Sequence, residues 1–141
     1  NDTTGELISS ATVYAKGLKV SDAAQTTFAL GLKYDLLEKT NISLDYNYAG
    51  DNYATMNVTS RDKVSDRGIN TWKMPNYHLF DLGLRHGFEI ANLDTTLSAN
   101  MNNIFDVEYI SDANDNGNGS SDAAVYYGAG RTFSLGLKIK F

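Results

Sequence analysis

The sequence contains no cysteine, and only one of its 141 residues is proline. The absence of cysteine excludes disulfide bonds, thiolate metal sites and cysteine catalysis. No cluster of Lys and Arg is present, and the formal net charge is −5, so we expect no nucleic-acid partner. No apolar run approaches the roughly 18 residues that a membrane helix requires. The chain does not begin with Met and shows no signal peptide, as in a mature, processed or truncated product.

A low mean hydropathy of −0.34 argues against a helical membrane protein. It is compatible with a membrane β-barrel, in which lipid-facing residues alternate with polar ones. The 12 glycines, nine tyrosines and single proline favour β structure. No stretch shows the apolar period of a helix.

Five segments alternate between apolar and polar residues with a period of two, which predicts strands with one apolar face. Each has roughly ten residues or more, longer than the ~5 to 6 residues of a typical globular strand and close to the ~9 to 11 of a tilted membrane strand. The predicted apolar face comprises Phe28, Leu30, Leu32, Tyr34 and Leu36; Ile42, Leu44, Tyr46 and Tyr48; Phe80, Leu82, Leu84, His86 and Phe88; Leu93, Leu97, Ala99, Met101, Phe105 and Val107; and Phe133, Leu135, Leu137, Ile139 and Phe141.

The connections between these segments alternate in length. Residues 36–40 and 89–92 are short, whereas 51–76 and 111–124 are long and rich in Asp, Asn, Ser and Gly. Outer-membrane barrels show this asymmetry, with short periplasmic turns and long extracellular loops. Aromatic residues near both ends predict two interfacial girdles: Tyr34, Phe88 and Phe141 near the short turns, and Tyr53, Trp72, Tyr77, Tyr109 and Tyr126 near the long loops.

Two blocks near the carboxy-terminus, "NMNNIFDVEYISDAND" and "VYYGAGRTFSLGLKIKF", resemble the final strands of TonB-dependent outer-membrane receptors. The segment "WKMPNYHLFDLGL" resembles the entry to the family's preceding strand, and the similarity extends over about residues 20–141. Ser134, Gly136, Ile139 and Phe141 are similar to the carboxy-terminal assembly signal of outer-membrane barrels: a polar residue, Gly, an apolar residue and a terminal aromatic.

The resemblance implies an all-β fold, an antiparallel up-and-down transmembrane β-barrel segment. It would supply about five to six carboxy-terminal strands of a larger barrel of 22 strands. Residues 1–24 would form an extracellular loop or a partial strand, and residues 25–141 the barrel strands with extracellular loops at 51–76 and 111–124. Five strands cannot close a barrel, since about eight are needed, so we expect this chain to be a carboxy-terminal piece.

The implied location is the outer membrane of a Gram-negative bacterium, and the implied function is energised uptake of an iron chelate, cobalamin or glycan. The implied partners are the remainder of the barrel and its plug domain, the TonB complex through the missing amino-terminal part, and the lipid bilayer. For a receptor of the glycan-importing kind, a surface lipoprotein would be a further partner.

The run "DANDNGNG" contains the first half of a calcium-loop pattern, with Asp112, Asn114 and Asn116 as oxygen ligands and Gly117 at the turn. Ala123 stands where a bidentate Glu belongs, so the cage is incomplete, and the alternative is a flexible polar loop. We otherwise expect no cofactor. His78 and His86 lie ~26 Å apart along one strand, too far to share a metal.

No catalytic constellation is present, so we expect no enzymatic activity. Charged residues on the polar faces (Lys33, Asp45, Asp81, Arg85 and Asp94) would line a barrel lumen. Two alternatives remain: a complete small outer-membrane barrel, or a soluble β-barrel or sandwich that binds an apolar ligand. The direction in which the apolar faces point distinguishes them.

Overall fold

A computed structural model describes residues 10, 12–58, 61–117 and 119–141. The chain is all-β. Its strands are β1 (Thr26–Leu37), β2 (Thr40–Gly50), β3 (Thr55–Met56), β4 (Tyr77–Ile90), β5 (Leu93–Asn102), β6 (Ile110–Asp115), β7 (Ala124–Tyr127) and β8 (Thr132–Lys140). Within the described residues, no helix is both long and apolar enough to span a membrane.

The strands form two sheets. The main sheet has five antiparallel strands in the order β1-β2-β4-β5-β8, and the small sheet has three in the order β3-β6-β7. In the small sheet β3 pairs with β6 in parallel and β6 pairs with β7 antiparallel. The main sheet does not close into a barrel, because β1 and β8 lie at its two edges.

Both short connections lie at one end of the main sheet. Ala91 and Asn92, both with positive φ (50° and 63°), form the two-residue turn between β4 and β5. This conformation suits the tight turns of hairpins, whose twist matches that of the flanking strands. We call this end the short-turn end and the opposite end the long-loop end.

At the long-loop end, residues 51–76 and 103–131 fold together into a compact unit that we call the cap. Its described residues include the small sheet and the single-turn 3₁₀ segments Val64–Asp66 and Gly119–Ser121. The buried apolar residues of the described chain, Ala54, Met74 and Ala113, all lie in the cap. The main sheet therefore contributes no apolar residue to this buried core.

The structure differs from three of the predictions made from the sequence. The fourth apolar segment does not extend to Phe105 and Val107, because β5 ends at Asn102 and Asn103 turns the chain with a φ of 50°. The segment 111–124, expected to be an open loop, includes most of β6 and the start of β7. Residues 12–25 contain no assigned strand.

Residues 12–25 instead run beside the cap. Tyr14 N donates to Arg61 O at 3.0 Å, Asp22 N donates to Tyr53 O at 3.2 Å, and Lys19 N donates to Asn70 Oδ1 at 2.8 Å. The earlier residues of the predicted 1–24 segment, 1–9 and 11, lie outside the described residues.

Candidate functional site

The strand register places the apolar residues of all five main strands on one face of the sheet. One continuous rung runs Tyr34–Ile42–Leu84–Ala99–Leu135, and the next runs Leu32–Leu44–Leu82–Met101–Phe133. Because paired residues share a face, the alternation of each strand becomes a two-dimensional apolar surface. We call it the apolar face.

The apolar face is exposed on the described chain. Leu135 is 75% exposed, Phe133 70% and Leu32 59%. Monomeric soluble proteins rarely expose a contiguous apolar patch larger than a few hundred Å². We therefore expect this surface to contact another protein or a membrane, since the described residues do not bury it.

An aromatic band crosses the apolar face on its long-loop side. The ring centroids of Phe28 and Tyr46 are 5.9 Å apart, those of Tyr46 and Phe80 are 4.9 Å apart, and those of Phe80 and Phe105 are 5.3 Å apart. Phe105 joins this band from beyond the end of β5. Sequence reasoning missed the band, because it depends on which strands pair and in which register.

The predicted girdle residues occupy mixed environments. Tyr34 is 66% exposed on the apolar face of β1, and the terminal Phe141 is fully exposed beyond β8. Trp72 instead packs against the cap core. Tyr77 pairs with Ala49 in the rungs of the opposite face, and its ring centroid lies 4.4 Å from that of Tyr109. The eight predicted girdle residues therefore do not form two continuous rings in this structure. Tyr53 pairs with Lys73 in an isolated bridge, and the ring of Phe88 stacks with that of His86. Tyr126 lies in β7.

The two histidines lie on the apolar face and bond to neighbouring strands. His78 Nδ1 is 2.7 Å from Tyr46 Oη, and His86 Nδ1 is 2.8 Å from Thr40 Oγ1. Each ring is therefore held by a hydroxyl of β2, and the two histidines do not converge on one site.

The residues of the "NNIFD" block form the junction between β5 and the cap. Asn103 is only 4% exposed; its Nδ2 donates to Val107 O at 2.9 Å and to Ala129 O at 3.2 Å, and its Oδ1 accepts from Val107 N at 2.8 Å. Its backbone N donates to Asp81 Oδ1 at 2.8 Å. Through its side chain and its backbone N, this one residue connects the end of β5 to β4 and to the segment before β8.

Asp106 completes this junction. Its Oδ1 accepts from Arg131 N at 2.8 Å, and its Oδ2 lies 3.5 Å from Arg131 Nη2. The backbone hydrogen bond from Arg131 and the nearby guanidinium lower the pKa of Asp106. A Cβ at Gly130 would lie 3.0 Å from Asp106 Oδ1, so the small residue leaves room for the carboxylate.

A second ion pair lies where the cap meets β1. The hydrogen bond from Lys73, then that from Thr26, lowers the pKa of Asp51, and the same bond to Asp51 raises the pKa of Lys73. Lys73 Nζ and Thr26 Oγ1 both donate to this carboxylate. Asp51 therefore links Thr26, at the long-loop end of β1, to Lys73 in the segment before β4.

The residues of the predicted calcium run lie in and just after β6. Asp112 Oδ1 accepts from Ala113 N at 2.7 Å, and Asn116 Nδ2 donates to Asp122 O at 2.8 Å. The buried carboxylate of this segment is Asp115, which accepts from Trp72 N, Gly117 N and Gly119 N at 2.8 to 3.0 Å. Asp115 was not among the calcium ligands predicted from the sequence. Its carboxylate instead accepts the backbone N–H of Gly117, the residue predicted at the turn. In the described chain no three His, Cys, Asp or Glu residues gather into a metal-binding group.

The assembly-signal residues lie on the β8 edge of the sheet. Ser134 Oγ accepts from Asn100 Nδ2 at 3.3 Å, and Gly136 lies opposite Ser98, whose Oγ would be 2.9 Å from an added Cβ. Ile139 points to the apolar face and Phe141 follows β8 at the short-turn end. The edge of β8 beside them pairs with no strand of the described chain.

The opposite face of the main sheet is polar, and we call it the polar face. It carries Lys33, Asp45, Asp81, Arg85 and Asp94 as predicted, together with glycines that lie beside polar side chains. An added Cβ at Gly31 would lie 2.8 Å from Asp45 Oδ1. Asp45 and Asp81 are direct cross-strand neighbours, so negative charge gathers on this part of the face.

No protein-family model, curated protein or solved structure matches this chain.

Proposed function

We propose that this chain is the carboxy-terminal wall of a TonB-dependent outer-membrane receptor in a Gram-negative bacterium. The observation that carries the proposal is the apolar face, which five strands build in register and which the described residues leave exposed. Phe133 and Phe141 are eight residues apart, about 26 Å along a strand. This length is of the same order as the ~25 Å apolar band of outer-membrane barrels.

The two sheet edges support a larger assembly. Each edge of an open sheet carries unpaired backbone groups, and each such group costs several kcal/mol in lipid. Closing the sheet with further strands on β1 and β8 removes that cost. Those strands belong to the remainder of the barrel, which would enclose the polar face together with a plug domain.

The two ends of the sheet also fit the orientation of an outer-membrane barrel in the membrane. The short turns would lie in the periplasm and the cap outside the cell, as in other outer-membrane barrels. The cap would then help to contact the transported ligand: an iron chelate, cobalamin or a glycan. A receptor of the glycan-importing kind would also contact a surface lipoprotein, and uptake would be driven through the TonB complex. The proposed role is transport rather than catalysis.

The native mass in detergent tests this proposal. We expect a species far heavier than 15.5 kDa that contains further polypeptide and changes its gel mobility after heating, since closed barrels resist denaturation until heated. A monodisperse 15.5 kDa particle that stays soluble without detergent would contradict it, because the apolar face would then be covered by some other means.

A further inference from the structure

Asn116 is the exposed residue that follows β6, and a glycine comes next in the chain. Gly117 has a φ of 100°, a conformation that glycine adopts readily because it has no Cβ. In an Asn–Gly pair the glycine nitrogen can reach the amide carbon of the preceding side chain, since no side chain of its own hinders the approach. The connection between β6 and β7 therefore begins with a pair that is chemically prone to deamidation.

A buried carboxylate holds the nitrogen that would react. Gly117 N donates to Asp115 Oδ1 at 2.8 Å, and Gly119 N donates to the same oxygen at 3.0 Å. The other oxygen, Asp115 Oδ2, accepts from Trp72 N at 2.8 Å. Asp115 is only 6% exposed, and Trp72 packs against the buried cluster of the cap. One side chain thus fixes the turn after β6 to the cap core.

The side-chain amide of Asn116 is held as well. Its Nδ2 donates to Asp122 O at 2.8 Å, across the connection between β6 and β7. This bond restricts the rotations that the side chain needs in order to bring its Cγ onto Gly117 N. In the folded chain, both reacting groups of the Asn–Gly pair are therefore hydrogen-bonded to other residues.

We propose that Asn116 is a modification site that the Asp115 carboxylate keeps closed in the folded cap, and that it deamidates when this turn opens. Gly117 N loses its proton and attacks Asn116 Cγ. The bond between this nitrogen and Cγ forms, the Cγ–Nδ2 bond breaks, and ammonia leaves with the proton. Water then opens the cyclic imide to aspartate or isoaspartate and is the only other reactant.

The charge of Asp115 gives the physical reason for the protection. Attack requires Gly117 N to lose its proton, and a carboxylate oxygen 2.8 Å away disfavours a second negative charge. The hydrogen bond must also break, and bonds to an ionised acceptor are among the stronger ones. Opening of the turn removes both effects, so the rate of deamidation follows the population of the open turn.

Conversion of Asn116 would in turn hinder the turn from closing again. Either product adds a negative charge next to Asp115, and isoaspartate also inserts a methylene into the backbone. Both changes disfavour the geometry in which the N–H groups of Gly117, Gly119 and Trp72 converge on one carboxylate. Molecules with a loosened cap would therefore accumulate with time.

Peptide mapping by mass spectrometry tests the proposal on the native protein in detergent, incubated at neutral pH beside the same protein unfolded in guanidinium chloride. We expect Asn116 to convert about tenfold or more slowly in the native protein, because the turn opens rarely. Asp115→Asn keeps an acceptor of similar shape without the charge and should raise the native rate about tenfold. Asp112→Asn is the matched control, since it removes an exposed carboxylate of the same strand and should leave the rate unchanged.

Equal rates in the native and unfolded protein would overturn the inference, and so would equal rates in Asp115→Asn and Asp112→Asn. The fluorescence of Trp72, the single tryptophan of the chain, reports whether the cap of each variant stays folded. If Asp115→Asn unfolds it, hydrogen exchange of the unaltered protein decides: the Gly117 amide should be protected, and exchange at the unfolded rate would refute the role of Asp115.

Discussion

Asn103 shows how one residue can define the boundary between a strand and a folded loop. Its positive φ ends β5, and its side chain bonds to Val107 and Ala129. Asparagine tolerates the left-handed region better than most residues and offers both a donor and an acceptor. An alanine would lose all three side-chain bonds and remove the partner of backbone groups in half-buried Val107 and exposed Ala129.

We therefore expect Asn103→Ala to destabilise the native protein by about 2 to 3 kcal/mol, the cost of leaving several partly buried polar groups unpaired. The measurement is the denaturant midpoint of the detergent-solubilised protein.

Asn102→Ala is the matched control, because the adjacent Asn102 is exposed and makes a 3.2 Å bond to Thr132 Oγ1. Its cost should stay within about 0.5 kcal/mol. Equal losses in the two variants would show that Asn103 does not hold the junction.

At the scale of the strand, the proposed function requires apolar residues on one face of β5 and allows polar residues on the other. Ala99 lies in a rung with Leu84 and Leu135, whereas Asn100 lies in a rung with Gly83 and Ser134. In the proposed barrel, these adjacent residues of one strand would face lipid and lumen respectively.

Ala99→Arg should cost about 2 to 4 kcal/mol of folding free energy in a bilayer, the penalty for arginine near its midplane. Asn100→Arg adds the same charge one residue away and should cost far less. Folding of both variants into lipid vesicles, followed by denaturant titration, measures the difference. A larger loss for Asn100→Arg would mean that the polar face, not the apolar one, is covered.

At the scale of the whole molecule, two carboxylates at the boundary between the cap and the main sheet have lowered pKa values. The pKa values of Asp51 and Asp106 are lowered by hydrogen bonds from Lys73 and Arg131 respectively. A lowered pKa in the folded state means that the unfolded state binds more protons near pH 4, so stability falls with acid. Lys73 has the opposite shift, and its contribution is lost only above its ordinary pKa near 10.4.

We expect the attachment of the cap to be constant between about pH 6 and 9 with respect to these groups, and to weaken as the pH falls below about 4. Limited proteolysis of residues 51–76 and 103–131 at a series of pH values measures this. In Asp51→Asn/Asp106→Asn, cleavage at neutral pH should rise and its acid dependence should flatten. Unchanged acid dependence in that variant would show that other groups control the cap.

Sequence alone predicted the strands of the main sheet and the face of the apolar residues within them, because a period of two is a local property that needs no knowledge of neighbours. It misplaced Phe105 and Val107 because the pattern continues past a turn that Asn103 imposes through contacts with distant residues. It also missed Asp115, whose partners Trp72, Gly117 and Gly119 come from two separate loops.

Other features depend on pairing between strands that are far apart in the chain, and these features are visible only in the tertiary structure. The register of β2 on β4 spans a connection of 26 residues, Asp51 to Asn76, and no local pattern specifies it. That register creates the contact between Tyr46 and Phe80 in the aromatic band. The pairing of β4 with β5 and of β5 with β8 aligns Arg85 with Gly136, and two polar loops meet at the buried cluster of Ala54, Met74 and Ala113. Alternation within the sequence thus determined which side of each strand is apolar, whereas only the folded sheet determined which residues of different strands meet, because hydrogen-bonded pairing sets those distances.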